Sequence, residues 1–306
     1  MDALSEVLRL ARLNANVTLD ATAHEPWCVS VPGSEAVMRA HLVLDGECEL
    51  RTASQEATLR SGDFAFLPYS DAHLIGSALD APAVSFSALV KSNLVGDLPP
   101  VRVGGDGPAT RWISFSFACE RHLARTLVEA LPRMVVADVS GAPAIEWLGD
   151  ALGLVLSSSD APYPGAAATR GKLAEIVLVE ALARFIQSTP SGTGWLAGLN
   201  DRYVGRALAL VHGRPGESWT VAKLGRQVGL SRSALAERFA LVMGEPIFAF
   251  LTRWRLQLAA EYLITTTRPI ASIAHNAGYE SANAFSHAFK RVFGKPPSVW
   301  RRKRRK

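Results

Sequence analysis

Acidic side chains are scarce in the last third of this chain. From Asn200 to Lys306 there are 6 Asp and Glu against 19 Lys and Arg, a net charge of +13. The preceding residues, Met1 to Leu199, carry the reverse balance, 22 acids against 14 bases, or −8. Like-signed charge gathered on one segment is the electrostatic footprint of phosphate binding. Cysteine is sparse too. Cys28, Cys48 and Cys119 are odd in number and far apart, with no C-x-x-C pair. That excludes a disulfide framework and a cysteine-rich zinc module, and each reads first as a small buried hydrophobe. No apolar run is long enough to span a bilayer, so no membrane partner is expected. MDALSEVLRL has an acid at Asp2 and no basic leader, unlike a signal peptide. The expected location is therefore the cytoplasm. A chain of 306 residues with 48% hydrophobic content can bury a sizeable core and predicts about two domains.

The C-terminal segment says nearly the same thing twice. Val221, Leu224 and Gly229 recur as Ile270, Ile273 and Gly278, a shift of 49 residues. Ser231, Leu235, Phe239, Val242, Gly244 and Pro246 recur as Ser281, Phe285, Phe289, Val292, Gly294 and Pro296, a shift of 50. Each copy reads as a short helix, a glycine turn and a longer helix opened by a capping serine, the form of a helix-turn-helix. Leu235, Phe239 and Val242 form one apolar stripe, as do Phe285, Phe289 and Val292. The opposite faces carry Arg232, Ala236, Glu237 and Arg238 in the first copy. In the second they carry Asn283, His287, Lys290 and Arg291. Two amphipathic hairpins in an ordinary bundle would not require so many paired positions. Between the copies, Ile247 to Ile264 predicts a helix roughly 27 Å long at about 1.5 Å per residue. With its flanking turns it can hold two recognition helices near one DNA turn, about 34 Å, apart.

These residues resemble the DNA-binding domain of the AraC/XylS family of bacterial transcription regulators. The resemblance covers about a hundred residues and is carried by Gly278, Tyr279, Ser281, Phe285, Phe289, Lys290, Phe293, Gly294, Pro297 and the Trp300-Arg301 pair. By register with that family, Ser233, Ala236 and Glu237 face bases in the first recognition helix. Asn283 and His287 do so in the second, with Ala282 at its entrance. Arg232, Arg238, Lys290, Arg291 and the terminal RRKRRK are better suited to phosphate. Arg253 and Arg255 read equally as backbone contacts or as intradomain ion pairs.

The N-terminal part opens with a short helix over Asp2–Leu13 and from Trp27 turns to short alternating runs. MRAHLVLDGECELR reads as a hairpin around Asp45-Gly46. ATLRSGDFAFLP turns at Ser61-Gly62-Asp63, and AVSFSALV and RWISFSFA read as further strands, together a small sandwich or barrel. Gly62, Pro68 and His73, spaced G-x5-P-x4-H, resemble the second motif of the cupin barrel. Ser70 stands where that motif favours glycine, and the H-x-H and glutamate of a metal-binding cupin are missing. His41 and His73 remain as effector-pocket residues or as a hydrogen-bonded barrel pair, and no metal or cofactor is expected. Past Cys119 the strands are expected to stop. HLARTLVEALPRMVV reads as a helix up to its proline, and AIEWLGDALGLVL and TRGKLAEIVLVEALARFI read as two longer helices. In the last, the stripe of Leu173, Val177, Ala181 and Phe185 reads either as packing on the barrel or as a dimer interface.

The expected fold class is α+β in two domains. A cupin-like effector and dimerisation domain spans 1–187, a linker 188–199, and an all-α double helix-turn-helix domain 200–306. The expected function is a sequence-specific transcription regulator controlled by a small effector or a redox signal. Its expected partners are double-stranded promoter DNA, RNA polymerase, a small-molecule effector and a second copy of itself. Cys119, beside Arg121 and His122, is the redox candidate, since neighbouring positive charge favours the thiolate. The alternative is a cupin-type metal-dependent enzyme fused to a DNA-binding domain, which the missing H-x-H set disfavours.

Overall fold

The computed structural model describes residues 2–91, 101–119, 127–141, 165–189 and 192–302. They form two compact units. One contains Leu13–Cys119 and Leu131–Thr189; the other contains Pro190–Lys306 together with Met1–Arg12 and Glu120–Ala130.

The first unit is rich in sheet. Its strands are β1 (Asn14–His24), β2 (Cys28–Val31), β3 (Met38–Asp45), β4 (Glu47–Thr52), β5 (Glu56–Arg60) and β6 (Asp63–Leu67). They continue as β7 (His73–Gly76), β8 (Val84–Ser85), β9 (Val101–Gly104), β10 (Ala109–Ala118) and β11 (Val135–Asp138). One sheet runs β11-β6-β3-β10-β1-β9 and the other β5-β4-β7-β2-β8. Between them lies a core of Leu19, Val29, Val43, Leu50, Leu59, Leu67 and Ile75, with Trp27 stacked on Trp112 at 4.5 Å.

The turn at Asp45-Gly46, read as a hairpin, is a corner between sheets instead, and the turn at Ser61-Gly62-Asp63 is a second such corner. β3 pairs with β10 and β6, whereas β4 pairs with β5 and β7. The chain therefore crosses from one sheet to the other at Asp45-Gly46, and back again between β5 and β6. Gly46 takes φ +78, and a Cβ there would meet the carbonyl oxygen of Ala109 at 2.6 Å. A D-G dipeptide specifies a tight reversal but not whether the strands flanking it pair. AVSFSALV also differs from its reading: only Val84–Ser85 is strand, and helix α2 (Phe86–Lys91) follows. Strand structure resumes after Cys119 in β11, which pairs with β6.

Helix α3 (Ala166–Ser188) lies on β1 and β11. Leu173, Val177, Leu178, Ala181 and Leu182 are buried there, and Phe185 is half-buried. Gly171 lets the helix approach β1, since a Cβ would sit 2.6 Å from the Ala15 oxygen. Of the two readings of this stripe, packing on the sheet is the one realised. The dimer-interface reading is corrected: its apolar residues already have a partner within the chain. AIEWLGDALGLVL, Arg121 and His122 lie outside the described residues.

The second unit is helical: α4 (Trp195–Asn200), α5 (Arg202–Gly213), α6 (Val221–Val228), α7 (Arg232–Met243), α8 (Ile247–Thr265), α9 (Ile270–Asn276), α10 (Ala282–Phe293) and α11 (Pro297–Arg302). A further helix, α1 (Ala3–Ala11), packs on α5. Asp2 caps it by accepting from the Ser5 N–H at 2.9 Å, and Ala3, Val7 and Ala11 are buried. Arg12, in the left-handed region at φ 49, reaches the buried Glu261 carboxylate of α8 at 3.0 Å. Residues expected with the first domain thus complete the second unit. Part of the expected linker also folds here, with Trp195 buried and the Gly194 N–H donating to the Val242 oxygen at 2.7 Å.

Candidate nucleic-acid interface

Each half of the repeat is a capped helix pair. Thr220 opens α6 by accepting from the Lys223 N–H at 3.1 Å, and Gly229 closes it at φ 85. Ser231 opens α7 and Ser281 opens α10, each accepting from the N–H three residues on, at 3.1 and 3.2 Å. Gly278 makes the second turn at φ 80, and Gly244 and Gly294 end the recognition helices in the same left-handed conformation. These caps satisfy backbone groups that helix ends would otherwise leave unpaired.

The apolar stripe continues at a spacing of four, not three. Leu235, Phe239 and Met243 are buried, whereas Val242 is only half-buried. In the second copy Phe285 and Phe289 are buried, Val292 is 38% exposed, and Phe293 joins Phe289 and Trp300 with ring centroids 4.5 and 5.0 Å away. Val242 and Val292 recur because both copies have them, but each lies one residue off the buried line.

The outer faces are exposed as expected. Arg232, Ser233, Ala236, Glu237 and Arg238 are exposed on α7. Asn283, His287, Lys290 and Arg291 are exposed on α10, with Ala282 half-buried at its start. Arg238 has a carboxylate partner within the unit. Its guanidinium is 2.8 Å from Asp201 and lies over the Tyr203 ring. Burial works against the Asp201 carboxylate, but hydrogen bonds from Arg238, Val204 and Tyr203 outweigh it and hold its pKa below the ordinary value. Arg238 therefore braces α7 against the start of α5, a role that sequence spacing alone does not reveal.

Arg253 and Arg255 are intradomain braces as well. Arg253 pairs with Glu245 at 2.6 Å. Arg255 donates to the carbonyls of Pro215 and Glu217, each at 2.7 Å. A Cβ on Gly278 would stand 2.7 Å from Arg255 Nη1. Gly278→Ala would thus combine an unfavourable positive φ with displacement of a hydrogen-bonded guanidinium. We expect a loss on the order of 1–3 kcal/mol, read as a lower thermal midpoint. The α8 helix that carries these arginines has 19 residues, roughly 28 Å at about 1.5 Å each. Arg301 donates to the Arg268 carbonyl and Arg302 is exposed; the rest of the basic tail lies outside the described residues.

In the sheet unit, His41 and His73 do meet, with their Nε2 atoms 2.8 Å apart. The bonding around them determines the protons. His73 Nδ1 faces the Asp71 carbonyl at 2.9 Å and must donate, so its Nε2 accepts from His41 Nε2–H. His41 Nδ1 then accepts from the Ser114 hydroxyl at 2.9 Å, and Ser114 accepts from the Trp112 indole at 3.2 Å. Burial lowers both imidazole pKa values, and Arg39 adds to the effect. Among the described residues no group of three or more His, Cys, Asp or Glu side chains could hold a metal ion. Burial also raises the Cys28 thiol pKa and pushes that of Cys48 up to about 12, whereas Cys119 is only half-buried.

Comparisons with known proteins agree with this geometry. A family model described as cupin matches residues 2–187, and one described as a helix-turn-helix domain matches residues 224–303. A Streptomyces antibioticus protein described as an AraC-like transcription regulator is 32% identical over 308 aligned positions, covering 99% of each chain. The HTH-type transcriptional regulator AlkR of Acinetobacter baylyi is 28% identical, over 98% of this chain and 99% of its own. The solved DNA-binding domain of AdpA, in complex with a target DNA, matches 34% of this chain and 94% of that one, with 24% identity and a TM-score of 0.32. The relatives are regulators rather than enzymes, which removes the cupin-enzyme alternative. With a sheet-rich cupin domain ahead of two helix-turn-helix motifs, this chain belongs to the AraC-like transcription regulators.

Proposed function

We propose that this regulator binds a promoter by placing α7 and α10 in successive major grooves on one side of the duplex. The observation that carries the reading is the pair of capped recognition helices, both exposed on their polar faces and joined through α8. Asn283 can pair with adenine, Glu237 can accept from cytosine, and Ala236 can touch a thymine methyl. Ser233 and His287 complete the base-facing set, while Arg232, Lys290 and Arg291 grip phosphates.

The sheet unit is proposed to sense a small effector, and the bound regulator to contact RNA polymerase. A homodimer would bring two such domains to one operator. With the inner stripe of α3 committed to the sheet, Ile176 and Val179, each 40% exposed, offer the apolar outer face for a second copy. Cys119 is retained as a redox group because the residue is half-buried, whereas Cys28 and Cys48 are buried. Modification by a thiol probe in the native protein is the expected result; labelling only after unfolding would remove that role.

Selection of binding sites from random DNA tests the main reading. Asn283→Ala or His287→Ala should cost about 1–3 kcal/mol at one base position, while Arg232→Ala should weaken all sequences together. A selected motif unchanged by both α10 substitutions would mean that the second helix does not read bases.

A further inference from the structure

The inner wall of the sheet unit changes character along its length. By register, Val43 faces Trp112, His41 faces Ser114, and Arg39 faces Ser116 across the β3–β10 pair. Directly opposed residues share a face, so this row runs from a dry aromatic floor, through the histidine chain, to a guanidinium. Arg39 is half-buried, and its Nε is enclosed without a hydrogen-bond partner. Its guanidinium carbon lies 5.0 Å from the centre of the Phe86 ring. Among the described residues no carboxylate pairs with it, in contrast to Arg12, Arg51, Arg111, Arg133, Arg238 and Arg253.

A half-buried cation with no counter-ion costs stability unless something else supplies the charge. The neighbouring imidazoles cannot do so. They are neutral or positive, and every nitrogen in the pair is already hydrogen-bonded. We propose that the Arg39 end of this wall is the effector site and binds a small organic monocarboxylate with an apolar body. The guanidinium fork matches a planar carboxylate. The Phe86 ring of α2 provides an apolar surface beside it. One cation suits a monoanion better than a phosphate dianion.

The proposal rests on the sheet unit being an effector domain, and its test uses the full chain without DNA. Thermal unfolding would be followed in carboxylate-free buffer, then with octanoate, benzoate or the neutral octanamide. At least one carboxylate should raise the wild-type midpoint by several degrees, and octanamide should not. Arg39→Met should abolish that shift while leaving the unliganded midpoint equal to or above wild type. Arg39→Lys, which keeps the charge but loses the fork, should retain a smaller shift. Equal shifts in wild type and Arg39→Met would overturn the proposal. So would an Arg39→Met protein much less stable than wild type, or a wild type that none of these carboxylates shifts. Operator binding is measured separately, so failure here is distinct from failure of the regulator reading.

Discussion

Val177→Asp is expected to unfold the sheet-rich unit. Val177 is fully buried on the inner face of α3, between Ala174 and Ala181, which are also buried. A carboxylate at that point would be enclosed on a helix face whose neighbours Ala174, Leu178 and Ala181 are buried and apolar. Leaving it ionised and unpaired would cost several kcal/mol, and protonating it would still bury a carboxyl where a methyl packed. The lost valine packing adds to that, so a total of about 4 kcal/mol or more is expected, against the 5–15 kcal/mol typical of a whole domain. Circular dichroism and native-state proteolysis would show loss of the unit. A folded, monomeric Val177→Asp protein would instead restore the stripe as an interface between copies. Ile176→Asp, on the exposed side of the same helix, should fold normally.

Deleting residues 2–12 should destabilise the helical unit, although none of them belongs to the helix-turn-helix repeat. Val7 is fully buried, and Ala3 and Ala11 nearly so; burying a valine side chain alone contributes roughly 1.5–3 kcal/mol. Removal also takes from the buried Glu261 carboxylate its ion pair with Arg12. A fragment beginning at Asn200 should therefore unfold at lower denaturant concentration than one that also carries the N-terminal helix. Supplying residues 2–12 as a peptide should recover part of the loss. Identical unfolding midpoints with and without the helix would mean that its packing on α5 contributes nothing.

The helical unit was largely legible because its determinants are local. Capping serines, closing glycines and a four-residue apolar spacing lie within a few positions of the structure they specify, and duplication displays each of them twice. What escaped was set by distant partners. Asp201 takes Arg238 out of the exposed basic set, and Glu245 does the same for Arg253. In the sheet unit, β3 to β6 and β10 were readable from alternation, but their pairing was not. Asp45-Gly46 announces a turn, yet only the contact with Ala109 and the pairing of β3 with β10 make it a corner. β1 escaped because its burial alternates imperfectly across the register shift between Val17 and Leu19. The α3 stripe shows the same limit: periodicity identifies an apolar face but not what covers it. His41 and His73 were legible as a pair, whereas the direction of their protons follows only from Asp71 and Ser114.

The α8 helix also has an angular meaning. A continuous helix turns about 100° per residue, so it fixes the rotational phase of α10 relative to α7 as firmly as it fixes their separation. If α7 and α10 both enter the major groove as proposed, an operator half-site would be one composite word, two short boxes locked on the same side of the double helix. Adding or removing a base pair between the boxes would swing one of them around the DNA axis, out of reach of its reading helix. Tolerance for variable spacing would then have to arise outside a single helical unit and not within one.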